Sequence, residues 1–190
     1  MKKIGFIGAG NMAGAIIGGI IKSNLVESQN VIASAKTMTN LNKLKDEYNI
    51  NVTLDAREVV KNSDIVFMAV KPNIFDGVLE SVKDLIGDEK IVVSIAAGKS
   101  ISSIENIIGD DKKIIRTMPN TPALVNEGMS ALCPNKNIED AELKIVKGIF
   151  DSFGKSEVVG EYLIDSVIGV SGSSPAYVFM FIEAMAEAAV

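Results

Sequence analysis

Short apolar runs rich in Ile and Val recur along the chain at 3–7, 30–33, 64–70, 90–95 and 112–117. Each is too short for a helix and is bounded by turn-forming or polar residues, so the pattern predicts buried strands. Between them, segments 11–23, 38–48, 56–62, 74–85 and 101–107 predict helices. Strands alternating with helices build a parallel sheet covered on both faces, the doubly wound α/β class of Rossmann type. From about Asn126 the pattern changes, with further strands at 128–133 and 156–159 around a helix near 138–152. No internal repeat, low-complexity tract or Pro/Gly/Ser linker divides the chain.

The last stretch breaks the amphipathic rule. Ser174 and Pro175 predict a helix start, with Ser as N-cap and Pro as the first helical residue. Residues 176–190 are apolar nearly all round, relieved only by Glu183 and Glu187 one turn apart. Such a helix needs partners on several sides, more than one α/β domain supplies. The expected organisation is a nucleotide-binding domain over 1–165, followed at 166–190 by the first helix of an α-helical domain. That second domain is expected to be truncated here or completed by another chain, through whose helices the protein forms a homo-oligomer.

At the other end, Lys2 and Lys3 precede an apolar stretch, 4–21, in which only Asn11 is polar, as in an export signal or a membrane span. Six glycines at 5, 8, 10, 14, 18 and 19 argue instead for a strand, a tight turn and then a helix. A cytoplasmic protein without a membrane partner is expected.

Composition narrows the chemistry. A net charge of −5 with no basic cluster excludes a nucleic-acid backbone site. The single cysteine, Cys133, excludes an intramolecular disulfide framework and a cysteine-based zinc site. The absence of histidine removes catalytic triads, His-ligated metals and imidazole acid–base catalysis, and no metal is expected.

The candidate chemistry clusters at expected strand ends. Gly8-Ala9-Gly10-Asn11-Met12-Ala13 follows the first strand and opens a helix. Gly8 permits the tight turn, Gly10 lets the backbone approach a pyrophosphate, and Ala13 allows close helix–strand packing. Gly14 and Gly18 are expected to continue a small face toward the sheet. An NAD site usually carries Asp or Glu at the end of the second strand. Here that position reads Ser34-Ala35-Lys36-Thr37, and two hydroxyls and a cation suit a 2′-phosphate, favouring NADPH over NADH. Ala69-Val70-Lys71-Pro72 and Ala96-Ala97-Gly98 end two further strands where doubly wound folds bind ligands. Lys71 reads as a cofactor-side cation or a proton donor, or equally as a solvated loop lysine.

Two later motifs complete the set. In Arg116-Thr117-Met118-Pro119-Asn120-Thr121-Pro122, the prolines fix a turn that can hold the Asn120 amide toward a cofactor's ring end. In Ser171-Gly172-Ser173-Ser174-Pro175, hydroxyls and a helix N-terminus suit a substrate carboxylate. A plain turn and a plain helix cap are the structural alternatives.

These four motifs, 8–13, 69–72, 116–122 and 171–177, stand in the order and spacing of pyrroline-5-carboxylate reductases, which the whole chain resembles. The resemblance implies a dinucleotide-binding domain followed by a helical dimerisation domain. It also implies NAD(P)H-dependent reduction of 1-pyrroline-5-carboxylate to proline. No catalytic residue is assigned. Ser174 stands where the family usually has Gly, and Ala56 about where many members have an Asn near the adenosine. The family's remaining C-terminal helices, with a Thr/Ser/Pro/Gly-rich substrate segment, are not in the sequence. Two alternatives are a related β-hydroxyacid dehydrogenase and a nucleotide-binding module without catalysis.

Overall fold

The computed structural model describes residues 2–190. Strand β1 (Ile4–Ile7) lies between β2 (Val31–Ser34) and β4 (Ile65–Met68), parallel to both. β3 (Asn51–Thr53) extends the sheet beyond β2. β5 (Ile91–Ser94) and β6 (Lys113–Met118) extend it beyond β4, still in parallel. β7 (Gly128–Pro134) then runs antiparallel to β6, and β8 (Gly154–Val158) runs parallel to β7. The order β3-β2-β1-β4-β5-β6-β7-β8 reverses its winding between β1 and β4. In doubly wound sheets a crevice opens at that switch point, at the C-terminal strand ends.

All four residues of β1, β4 and β5 are buried, so these strands read as continuous apolar runs without alternation. One face of the sheet is covered by α1 (Asn11–Lys22) and α6 (Asp140–Asp151), over a core that includes Ile16, Ile17, Phe67 and Phe150. Phe6 and Phe67 stack there with ring centroids 4.8 Å apart. The opposite face is covered by α3 (Ala56–Lys61), α4 (Pro72–Val82) and α5 (Ile101–Ile108), which bury Val59, Phe75, Leu79 and Ile104. α2 (Met38–Tyr48) packs outside α1, and the stretch 4–21 is the interior β1–loop–α1 unit.

Several expectations are corrected. β3 carries too few residues, all partly exposed, to show a strand period. α4 starts at Pro72 rather than 74, because a proline suits the first turn and loses no helical hydrogen bond there. Gly14 and Gly18 face α2, not the sheet. A Cβ on Gly14 would lie 3.5 Å from Leu44, and one on Gly18 would lie 2.8 Å from the Tyr48 hydroxyl.

The final helix begins at Ser174 as expected, but it is not a fresh, side-chain-capped start. Glu161–Ala188 is one helical run, with a 3₁₀ turn at Glu161–Leu163, then α7 (Ile164–Val167), a π turn at Ile168–Gly172 and α8 (Ser174–Ala188). Ser173 is already right-handed, and its N–H donates to the Ile168 carbonyl at 2.9 Å. Ser174 is therefore a helical residue, not a side-chain N-cap, and Pro175 is the second of α8. α8 buries none of its residues, and Tyr177, Phe179, Met180 and Phe181 are each more than half exposed. Among the described residues, Glu161–Ala188 is the one helix long and apolar enough to cross a membrane, judged by length and composition alone.

Candidate functional site

The site is built at the β1/β4 switch point. Gly8 has φ +115°, and a Cβ there would lie 2.2 Å from the Ala69 carbonyl oxygen, so only glycine fits. The Gly8 N–H donates to the Ser34 carbonyl at 2.8 Å, and the Ala69 N–H donates to the Ile7 carbonyl at 2.8 Å. The glycine turn is thus stitched to the ends of both β2 and β4. Gly10, two residues on, is exposed, and its Cβ would meet nothing within 4 Å. α1 opens directly after it without a side-chain cap. A helix N-terminus of this kind offers backbone N–H groups and a positive partial charge to an anion.

A cleft of about 330 Å³ runs from this turn across the neighbouring strand ends. It brings together Gly8, Gly10, Ser34, Lys36, Val70 and Lys71, all foreseen from the sequence, along with Ala69. Its apolar wall is formed by Leu54, Ala56, Ile74 and Val78. Of these, sequence reasoning missed Leu54, Ile74 and Val78. Leu54 follows the short strand β3 and is 59% exposed. Neither the Lys36 nor the Lys71 ammonium forms an ion pair among the described residues, so both remain available to an anion. Thr37, next to Lys36, precedes α2 and makes no capping bond with its side chain. A larger hollow of about 440 Å³ opens among Lys3, Asn51 and Glu58 at the far, N-terminal ends of the strands, away from the glycine turn.

The other foreseen residues lie outside this cleft. Ala9 is buried, while Asn11 and Met12 form the first turn of α1. Pro72 opens α4. Ala96 is buried in the turn after β5, and Ala97 and Gly98 are exposed there. Asn120 and the 171–175 segment meet each other. The Asn120 amide donates to the Ser171 carbonyl at 3.2 Å and to the Ser171 hydroxyl at 3.3 Å. Its oxygen accepts from the Met129 N–H at 2.8 Å. The Ser171 carbonyl is free for this because Pro175, four residues on, has no N–H to give it. The two motifs are therefore mechanically one, and the amide expected to face a cofactor ring is engaged within the protein. The hydroxyls of Ser173 and Ser174 also turn back onto the helix, toward the carbonyls of Ile168 at 2.8 Å and Ser171 at 3.5 Å. The free helix N-terminus expected at 171–175 is thus replaced by the π turn.

A second polar junction had no readable sequence signal. Buried Arg116 on β6 donates to Glu161 at 2.8 Å, and the same carboxylate oxygen accepts the Ile101 N–H at 2.8 Å, at the start of α5. Beneath it, burial pushes the Cys133 thiol up to about 11, with Arg116 pulling down and Glu161 pushing up.

Comparison with known proteins places the chain. Residues 3–98 match a family described as NADP oxidoreductase, coenzyme F420-dependent, and residues 161–190 match one described as pyrroline-5-carboxylate reductase dimerisation. Pyrroline-5-carboxylate reductase of Escherichia coli is 48% identical over 189 residues, covering 100% of this chain and 70% of that protein. A solved pyrroline-5-carboxylate reductase from Coxiella burnetii superposes with a TM-score of 0.93 at 33% identity, over 99% of this chain and 70% of that one. The Plasmodium falciparum pyrroline carboxylate reductase solved with NADP bound gives 0.89 at 34% identity, over 99% of this chain and 69% of that one.

Proposed function

The chain belongs to the pyrroline-5-carboxylate reductase family, and from that premise we propose that the cleft at the β1/β4 switch point holds NADP(H) and that residues 171–175 line the substrate site. The activity is reduction of 1-pyrroline-5-carboxylate to proline with NAD(P)H, the step that completes proline synthesis. One observation carries this reading: the 48% identity to a reductase extends over 189 residues, the full span that holds all four motifs. A β-hydroxyacid dehydrogenase or a non-catalytic nucleotide module would leave the second pair of motifs unaccounted for, and neither is favoured.

The cleft fits a dinucleotide on structural grounds. The open space at Gly10 is where a pyrophosphate would lie against the uncapped start of α1, and a Cβ would fill it. Ser34, Lys36 and Thr37 would hold a 2′-phosphate, which favours NADPH over NADH. Leu54, Ile74 and Val78 would flank the adenine, and Lys71 would add positive charge. Ala97 and Gly98 would let backbone lie close to the nicotinamide end. When bound, the reduced cofactor supplies a hydride to the imine carbon, and the C=N electron pair moves to a nitrogen already protonated, leaving a secondary amine. The protein's part is to align the two rings and exclude water. A protonated cyclic imine is electrophilic without further help, so a chain lacking histidine suffices.

The division into a nucleotide-binding domain at 1–165 and a helical domain from 166 is supported by α8, which has no buried residue of its own. The match to a dimerisation family over 161–190 supports a homo-oligomer formed through this helix. A biosynthetic role of this kind supports a cytoplasmic location. Incubation with 1-pyrroline-5-carboxylate and NADPH tests the reading. Proline is expected to accumulate one for one with cofactor oxidised, and oxidation without proline would refute it.

A further inference from the structure

We infer that Glu161 is a positioning residue for the reduction: its carboxylate seats the helical run that carries 171–175 against the strand ends that carry the cofactor-side loops. The inference rests on the substrate-site reading above. Three pieces of the proposed site converge on this one side chain. The Ile101 N–H, bonded to it at 2.8 Å, opens α5 just after the turn that holds Ala96, Ala97 and Gly98. Arg116, bonded to it at 2.8 Å, stands on β6 four residues before Asn120. Glu161 itself is the first residue of the continuous run that ends in α8. The start of α5 is also a favourable place for a carboxylate, because the helix dipole is positive there.

The run is fastened at two points only ten residues apart in sequence: Glu161 at its root, and Ser171 through Asn120. The first tie falls in the 3₁₀ turn at the start of the run and the second in the π turn, the two irregular parts of the run, where its winding can change. Ile164 is buried in the same apolar layer as Ala131 and Cys133, so the seat is packed as well as bonded. If the carboxylate is lost, Arg116, itself only 9% exposed, keeps a buried charge without its partner. The run then has one polar tie left, at Asn120, besides the packing of Ile164, and the 171–175 segment loses its fixed distance from the cofactor-side loop.

Cys133 makes the seat observable without any assay of turnover. It is the chain's single cysteine and is 1% exposed. Lifting the run would open the apolar layer in which it sits. The test compares wild type, Glu161→Gln, and a double variant, Arg116→Met with Glu161→Leu. The double variant leaves no unpaired charge, so it keeps the fold while lacking both polar ties. Thiol labelling of Cys133 should quicken by on the order of tenfold in the double variant, with a smaller rise in Glu161→Gln, which retains an accepting oxygen. KM for 1-pyrroline-5-carboxylate should rise about tenfold or more, and by more than KM for NADPH. Unchanged labelling would overturn the inference. So would faster labelling with an unchanged substrate KM, which would make Glu161 merely structural. An inert wild type would refute the reductase reading and the inference with it, whereas unchanged labelling in an active enzyme would overturn the inference alone.

Discussion

At the residue scale the glycine turn divides its work between two positions that are chemically alike and structurally opposite. Gly8 is needed by the protein itself, since its φ of +115° and the Ala69 carbonyl leave no place for a side chain. Gly8→Ala is expected to lower stability by about 2 kcal/mol or more, measured as a shift in the urea midpoint. Lys36 is the residue on which cofactor choice turns. Lys36→Glu should cost NADPH about 1–3 kcal/mol of affinity and bring NADH level with it or ahead. Equal affinities in wild type, unmoved by the substitution, would refute the phosphate assignment. Cys133 gives a pH prediction. Its thiol is raised from 9.0 to about 11, so the folded state holds its proton more tightly than the unfolded state does. The stabilisation from that buried thiol is full below about pH 9 and is lost as pH climbs toward 11. Cys133→Ala should flatten that alkaline fall relative to wild type in denaturation series. Gly8, Gly10 and Lys36 could be read from sequence because each sits next to a strand end that sequence reveals. Leu54 could not, because its strand has only three partly exposed residues and no period to detect.

At the element scale, buried strands announce themselves and helix junctions do not. β1, β4 and β5 are buried on both sides, which forces unbroken apolar runs that survive in the sequence as a plain signal. In sequence the start of α8 reads as a capped helix, because Ser and Pro are the residues of a cap. The same pair also suits a π turn followed by a proline whose missing N–H frees the Ser171 carbonyl for Asn120. Local composition is identical in the two cases, and only the tertiary partner decides. The apolar surface of α8 follows from the sequence directly, and its consequence is association. Phe179 and Phe181 are 68% and 65% exposed, and leaving such side chains in water forgoes about 1.5–3 kcal/mol each. The chain should sediment as an oligomer, and replacing both phenylalanines with Glu should shift it to monomer. A wild-type chain that stays monomeric at high concentration would show that α8 needs no partner.

At the scale of the whole molecule, the sheet order places every cofactor-side motif at one edge of the fold. The glycine turn, the Ser34–Thr37 turn and the Ala69–Pro72 turn meet because β2, β1 and β4 are adjacent and parallel. The turn after β5 and the turn after β6 continue the same edge toward Asn120 and the helical run. That architecture was legible from strand–helix alternation. The Arg116–Glu161–Ile101 junction was not, because its members are 15 to 60 residues apart and none carries a local signature. The central claim is that the open space at Gly10 is where the cofactor's pyrophosphate lies. It is tested most directly by titrating NADPH against wild type and Gly10→Val, with circular dichroism recorded on both. The vacancy around Gly10 means that a valine side chain meets no protein atom at its Cβ, so the variant should fold as wild type does. Saturable NADPH binding by wild type and none by the folded variant is the expected result. Equal binding by both would contradict the account.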